Sequence, residues 1–289
     1  MDLVIKATGC KKAGHAGTLD PIATGVLVVC LERATLLSGF LSMQEKEYAA
    51  TFLLGLETDT LDIEGKVISR GDSGGIDISK LREAASSLEG DQIQEVPKFS
   101  AVKVGGRPLY YYARREMDVS SVFRRVRINS IKVISLENSK EGVFANLVIN
   151  CGPGTYVRSI ARDLGRKLGC GACVYFLTRT RSGNFKLDDA LSIEELSSLN
   201  KETILKKIIT MEEATSQIPS ITLSGEALKN ASMGKYLSAV DFHPYKIPDG
   251  TFRILDDKGV IIALYTSLKH NGGDFVVKPL RVIRPYKHF

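Results

Sequence analysis

The sequence predicts an α+β protein with a small β-rich domain at its C-terminal end, and three observations carry that prediction. Two strand-like segments, 125–136 and 143–151, lie close enough in the chain to pair antiparallel. Two amphipathic helical patterns occupy 79–90 and 158–168. Past Lys186 the chain becomes acidic and helical, then changes to short strands separated by turns. With 289 residues it is long enough for two cores.

Taken in order, Asp2 to Lys12 reads as the tail of a helix that ends near Gly9. The segment Gly14-His15-Ala16-Gly17-Thr18-Leu19-Asp20-Pro21-Ile22-Ala23-Thr24-Gly25 follows, anchored by the apolar run from Val26 to Leu31. Residues 47–54 read as a strand closed by Gly55, and 66–69 as another. Over 79–90, Leu81, Ala84, Ala85 and Leu88 share a helix face, with Ser79 placed to cap it and Gly90 to end it. Residues 125–136 alternate, but the phase changes between Ser130 and Ile131, which predicts a bulge. In the helix 158–168, Ile160, Leu164 and Leu168 face the core and Gly169 stops it. From 187 to 215 the chain reads as helical, opened by the capping box Ser192-Ile193-Glu194-Glu195. Residues 216–220, with Pro219, read as a linker. A short helix over 226–232 and strands at 251–255, 260–265 and 275–282 complete the chain.

Composition narrows the function classes. A hydrophobic content of 44% and a charged content of 25% are those of a soluble globular protein. No apolar run approaches the roughly 20 residues of a membrane span, and the N-terminus lacks a secretory h-region, so a cytoplasmic protein is expected. The net charge of +6 suggests a polyanionic partner. Five cysteines, an odd number, fit reduced thiols. Cys170-Gly171-Ala172-Cys173 has metal-like spacing, but no second pair completes a tetrahedral site, and no strand opens into a helix there as in a redox motif. The acids in Thr58 to Gly65 lack the order of a calcium loop, so a polar loop is expected. Four histidines, three of them (His243, His270, His288) in the last stretch, leave little for a histidine triad or metal cluster.

Two segments can carry chemistry. In the first, Gly14, Gly17 and Gly25 permit positive φ or close approach, and Pro21 constrains Asp20. Such a loop either presents a reactive carboxylate or is a turn whose acid caps the next helix. In the second, Gly152-Pro153-Gly154-Thr155-Tyr156-Val157-Arg158 joins a strand to a helix and aims Tyr156 and Arg158 away from the junction. Basic residues gather in two stretches. One holds Lys103, Arg107, Arg114, Arg115, Arg124, Arg125 and Arg127; the other holds Arg158, Arg162, Arg166, Lys167, Arg179, Arg181 and Lys186. With the interleaved Phe99, Tyr110, Tyr111, Tyr112, Tyr156, Tyr175 and Phe176 they read equally as an RNA surface or as solvated helix faces over core tyrosines.

The sequence K-A-G-H-A-G-T-L-D-P-I-A-T-G-V-L closely resembles the signature of the TruB family of bacterial tRNA pseudouridine-55 synthases. Further blocks are similar to that family in the same order. They are Lys46-Glu47-Tyr48 with Leu54-Gly55, T-D-T-x-D-x-x-G at 58–65, Val96 to Lys103 with Leu109-Tyr110 and Ala113-Arg114, Gly154 to Ser159 with Asp163-Leu164-Gly165, and Leu177-Thr178-Arg179-Thr180.

The resemblance implies a pseudouridine synthase fold, a mixed and mostly antiparallel sheet flanked by helices, over residues 1–215. It implies, more weakly, a PUA-like RNA-binding domain over 220–289. The implied reaction is isomerisation of the T-loop uridine at tRNA position 55, with Asp20 as the catalytic carboxylate and no cofactor or metal required. Arg158 would pair with Asp20 and keep it ionised, and Tyr48 would stack on the target base. Tyr156 and Leu177 would line the pocket, His15 would touch the extruded RNA, and Lys103 would support the site or a phosphate. The expected partner is the tRNA T arm, with no obligatory protein partner and a monomeric enzyme. Family members begin with a further strand carrying D-K-P-x-G-x-x-S, and Met1 falls where their first helix is under way, so a catalytic domain without its first strand is expected. Phe99 stands where a tyrosine is common. The competing reading is a tRNA-binding or RNA-folding protein without catalysis.

Overall fold

The computed structural model describes residues 1–269 and 275–284, so His270 and His288 lie outside the described residues. The chain forms two compact units. One gathers Met1–His15, Val29–Gly39 and the chain from Leu191 onward; the other gathers Ala16–Val28 and Phe40–Ala190.

Helix α1 (Asp2–Thr8) ends at Gly9, whose φ of 72° lets its N–H reach back to the Ile5 carbonyl. Strand β1 (Ala13–His15) runs antiparallel to β3 (Val29–Leu31). Between them lies the Asp20 segment, which contains β2 (Ala23–Gly25). The single helical turn α2 (Ser38–Ser42) leads to β4 (Lys46–Leu54). The hairpin β5 (Leu56–Thr58) and β6 (Val67–Arg70) encloses the Thr58 to Gly65 segment. That segment is the expected polar loop, with Thr58 and Asp62 buried in it: the Thr58 hydroxyl donates to the Asp62 carbonyl at 2.6 Å and the Thr60 hydroxyl to Asp62 Oδ1 at 2.6 Å. Leu61 sits there at φ 65°, a conformation only a closely held turn keeps in a branched residue.

Helix α3 spans Ile78–Ser86, and its cap is Asp77, whose side chain accepts from the Lys80 N–H, rather than Ser79. Gly90 does not end this helix. It opens β7 (Gly90–Glu95), a polar edge strand with alternation too weak to read. The hairpin β8 (Lys103–Val104) and β9 (Arg107–Pro108) precedes the short helix α4 (Leu109–Ala113). Then come the two long strands β10 (Phe123–Ser139) and β11 (Gly142–Cys151), paired antiparallel as predicted. Their register shifts twice, at 128–130 and 133–135, so Ile131 and Val133 stay in the core while Ile134 turns out to solvent. Helix α5 (Val157–Leu168) ends at Gly169, and β12 (Ala172–Ser182) and β13 (Phe185–Lys186) follow.

These strands build one mixed sheet in the order β13-β12-β4-β11-β10-β7, with β2 added parallel to β12 and the other pairings antiparallel. Helix α3 packs on β10 and α5 on β12, closing a core of Phe52, Leu81, Leu147, Ile149, Ile160 and Leu164. Each such side chain contributes about 2 kcal/mol by leaving water. The approach of α5 to the sheet is set by Gly165, where a Cβ would lie 2.2 Å from the Ala172 nitrogen.

The other unit is helical and then β-rich. Helix α6 (Ile193–Ser198) has the predicted capping box, and α7 (Lys201–Lys206) and α8 (Met211–Ala214) follow. Strand β14 (Ser220–Thr222), helix α9 (Gly225–Ser232), β15 (Gly250–Leu255), β16 (Ile261–Lys269) and β17 (Phe275–Val282) form a four-stranded sheet with its helix. Residues 216–220 are no free linker. Arg253 donates to the carbonyls of Glu212, Ser216 and Ile218, and β14 pairs with β15, which fixes this stretch inside the unit.

Candidate active site

The Asp20 segment is held by β12. Thr24 lies opposite Thr178, their hydroxyls 2.9 Å apart, and the Val26 N–H donates to the Arg179 carbonyl at 2.9 Å. Gly25 is required at this crossing: its φ is 96°, and a Cβ would stand 2.3 Å from the Arg179 carbonyl oxygen. Asp20 caps no helix. Its carbonyl accepts from the Ala23 N–H, and its carboxylate projects to Arg158.

Arg158 lies in the first turn of α5 and is buried. Its Nε donates to Asp20 Oδ2 at 2.8 Å and its Nη2 to Asp20 Oδ1 at 2.8 Å, a two-pronged pair that fixes the carboxylate plane. The remaining donors reach the Thr60 carbonyl at 3.0 Å and the Phe99 carbonyl at 3.2 Å. Asp62 Oδ2 stands 3.9 Å from Nη1, a second anion on the same guanidinium. The Asp20 side chain keeps 29% of its surface, so the pair is buried on the arginine side and open on the carboxylate side.

Tyr48 on β4 lies opposite Arg179 on β12. Burial raises its hydroxyl pKa, and the adjacent Arg179 guanidinium pulls the other way. Leu177 is buried in the core cluster that Tyr48 packs against, paired with Ala50 and Ala23. Tyr156 precedes α5, held by the buried Gln94 amide, which accepts from its N–H at 2.8 Å and donates to its carbonyl at 3.1 Å. Lys103 is exposed on its hairpin and makes no bond to Asp20 or Arg158. His15 is exposed at the end of β1 in the other unit.

The two basic stretches prove unlike each other. Lys103, Arg107, Arg114, Arg115, Arg124, Arg125 and Arg127 are all exposed, and Arg107 and Arg115 stack on the Tyr111 ring at 4.4 and 3.9 Å. In the second stretch Arg158, Arg162 and Arg179 are buried. Arg162 pairs with Glu95 and Asp163. These three are scaffold cations, because each finds carboxylates or carbonyls inside the unit. Thr60 and Asp62 lie against Arg158, and Arg179 bonds to the Asp20 segment; the sequence reading had these three as loop or surface.

All five cysteines are free, and Cys170 and Cys173 are buried. Burial pushes the Cys173 thiol up to about 12, so the pair consists of inert core thiols. Among the described residues, no three His, Cys, Asp or Glu side chains stand together so as to hold a metal ion.

A carboxylate clamped by a buried arginine on a glycine-hinged loop, with a half-buried tyrosine on the mixed sheet, defines a class. The sequence pattern of the TruB family pseudouridylate synthase (N terminal domain) matches residues 6–157, and that of the tRNA pseudouridylate synthase B C-terminal domain matches 158–215. The chain belongs to the TruB family of pseudouridylate synthases. Its relatives include tRNA pseudouridine synthase B of Syntrophus aciditrophicus, 37% identical over 98% of this chain and 92% of the relative. Another is tRNA pseudouridine synthase B of Syntrophobacter fumaroxidans, 42% identical over 80% of this chain and 75% of the relative. A chain in the crystal structure of a Cbf5–Nop10–Gar1 complex superposes with a TM-score of 0.73 at 26% identity, covering 98% of this chain and 80% of that one.

Proposed function

We propose that this protein is a tRNA pseudouridine synthase that isomerises the T-loop uridine at position 55, with Asp20 as the carboxylate that starts the reaction. The single observation that carries the reading is the Asp20–Arg158 pair, 138 residues apart in sequence and joined by two bonds of 2.8 Å. The family supplies the substrate class, since its relatives act as tRNA pseudouridine synthases.

The chemistry fits that site. Uridine and pseudouridine have the same atoms. The N1–C1′ bond breaks, the uracil turns, the C5–C1′ bond forms, the C5 proton leaves to water and N1 gains a proton. The balance calls for no redox step. Arg158 occupies one lone pair on each Asp20 oxygen and leaves the others toward the open side, where a nucleotide enters. The target base must leave its stack at a cost of a few kcal/mol, and Tyr48 offsets that cost by stacking on it. Tyr156 and Leu177 wall the pocket. His15 touches the extruded RNA, Lys103 supports the site or a phosphate, and the exposed arginines beside Tyr110 and Tyr111 hold the T arm by backbone and shape.

Residues 1–215 are then the catalytic domain and 220–289 a PUA-like RNA-holding one. The enzyme works as a monomer in the cytoplasm, without an obligatory protein partner. Incubation with tRNA carrying tritium at uridine C5 tests the reading. Stoichiometric release, with the product mapped to position 55, supports it. Folded protein that binds tRNA but releases nothing would leave a non-catalytic RNA-binding protein.

A further inference from the structure

Among the described residues, Arg179 is one of the largest fully buried side chains, and it has no carboxylate partner. Its charge is met by backbone carbonyls instead. Nε donates to Val26 at 2.7 Å, Nη1 to Thr18 at 3.2 Å and Nη2 to Gly17 at 3.1 Å. Two of these carbonyls precede Asp20 and one follows it. The Arg179 main chain also lies against Gly25 and accepts from the Val26 N–H. On its other side, Tyr48 is its cross-strand partner.

A buried cation without a counter-ion costs several kcal/mol. It is a poor route to stability. It is an effective way to fix a loop, because a planar guanidinium presents its donors at set angles to carbonyls that have no other reason to converge. We propose that Arg179 is a positioning residue: it clamps both ends of the Asp20 loop and sets that loop against Tyr48 without meeting the substrate. Two arginines thus divide the work. Arg158 orients the carboxylate and Arg179 orients the backbone that carries it. This proposal rests on the reading of Asp20 as the reacting carboxylate.

The test is Arg179→Lys in the full chain, which keeps the charge and removes the planar fork. Two readouts are taken: amide hydrogen exchange of peptides covering 16–26, and single-turnover tritium release with tRNA affinity measured alongside. The variant should fold and bind tRNA within about twofold of wild type. Its single-turnover rate should fall about 100-fold, the cost of a misplacement near 1 Å. Exchange in 16–26 should quicken about tenfold or more while β10 and β11 keep their protection. Wild-type turnover in Arg179→Lys overturns the proposal, as does a loss of turnover without faster exchange in the loop. A variant that does not fold, or that exchanges faster across the whole sheet, also overturns it by making Arg179 a general core residue. Exchange is read without activity, so a wild-type enzyme that releases no tritium refutes the isomerase reading and leaves the clamp separately decided.

Discussion

Arg158 serves four acceptors at once: both oxygens of Asp20 and the carbonyls of Thr60 and Phe99. Replacing it by Met therefore strands two buried carbonyls as well as the carboxylate. Arg158→Met should lower stability by about 3 kcal/mol in urea unfolding. Arg158→Lys keeps a charge but cannot make the two-pronged pair, and should lose turnover about 100-fold or more while binding tRNA normally. Equal turnover in Arg158→Lys would show that carboxylate orientation is unimportant. The phenylalanine at 99, in place of a common tyrosine, costs the site nothing visible, since Phe99 contributes its carbonyl. The glycine and proline neighbours of Asp20 left two readings open, a presented carboxylate or a helix-capping turn, and the structure shows that it caps no helix. Its partner was not legible, because no spacing rule links residues so far apart; only the resemblance supplied Arg158. Arg179 was misread as a surface cation. The available signal was the alternation of β12, which puts Arg179 on the same face as the buried Leu177.

At the scale of elements, glycines set two backbone crossings. Gly165→Ala would drive a methyl into β12 at the Ala172 nitrogen, and Gly25→Ala would drive one into the Arg179 carbonyl. Gly165→Ala should cost about 3 kcal/mol by separating α5 from the sheet. Gly25→Ala should cost about 2 kcal/mol and also slow turnover, since it loosens the Asp20 segment. Thermal melts with parallel activity measurements separate the two effects. Long periodic elements were the readable ones: β10, β11, α5 and the capping box of α6. Short or polar elements were not. The edge strand β7 shows no clean alternation, the cap of α3 lies two residues before Ser79, and residues 216–220 look like a linker because their anchor is the distant Arg253.

For the whole molecule, pH dependence follows from buried thiols. Burial raises Cys173 from 9.0 to about 12 and Cys151 to about 11, and Cys30 and Cys170 move in the same direction. In the unfolded chain these thiols lose their protons near 9, so above that pH the unfolded state holds fewer protons and is favoured. Lys46 opposes this. Its amine falls from 10.5 to about 8, mainly through burial, so the unfolded chain carries its extra proton across that range and stability gains as pH rises. Four thiols outweigh one amine. The urea midpoint should fall as pH rises from about 9 to about 11; a midpoint that rises over that range would contradict these burials. Native protein should expose about one fast-reacting thiol, Cys10, and all five after denaturation. The α+β class and the β-rich end were readable from patterning alone. The two units were not, because the chain visits each more than once.

The account depends most on Asp20, and one substitution isolates it. Asp20→Asn keeps the size and shape of the side chain and removes the charge that Arg158 clamps. Tritium release from C5-labelled tRNA, measured at single turnover together with the Kd for tRNA, should fall at least about 1,000-fold with affinity unchanged within about twofold. Release within about tenfold of wild type would contradict the central claim and move the reacting group elsewhere in the site.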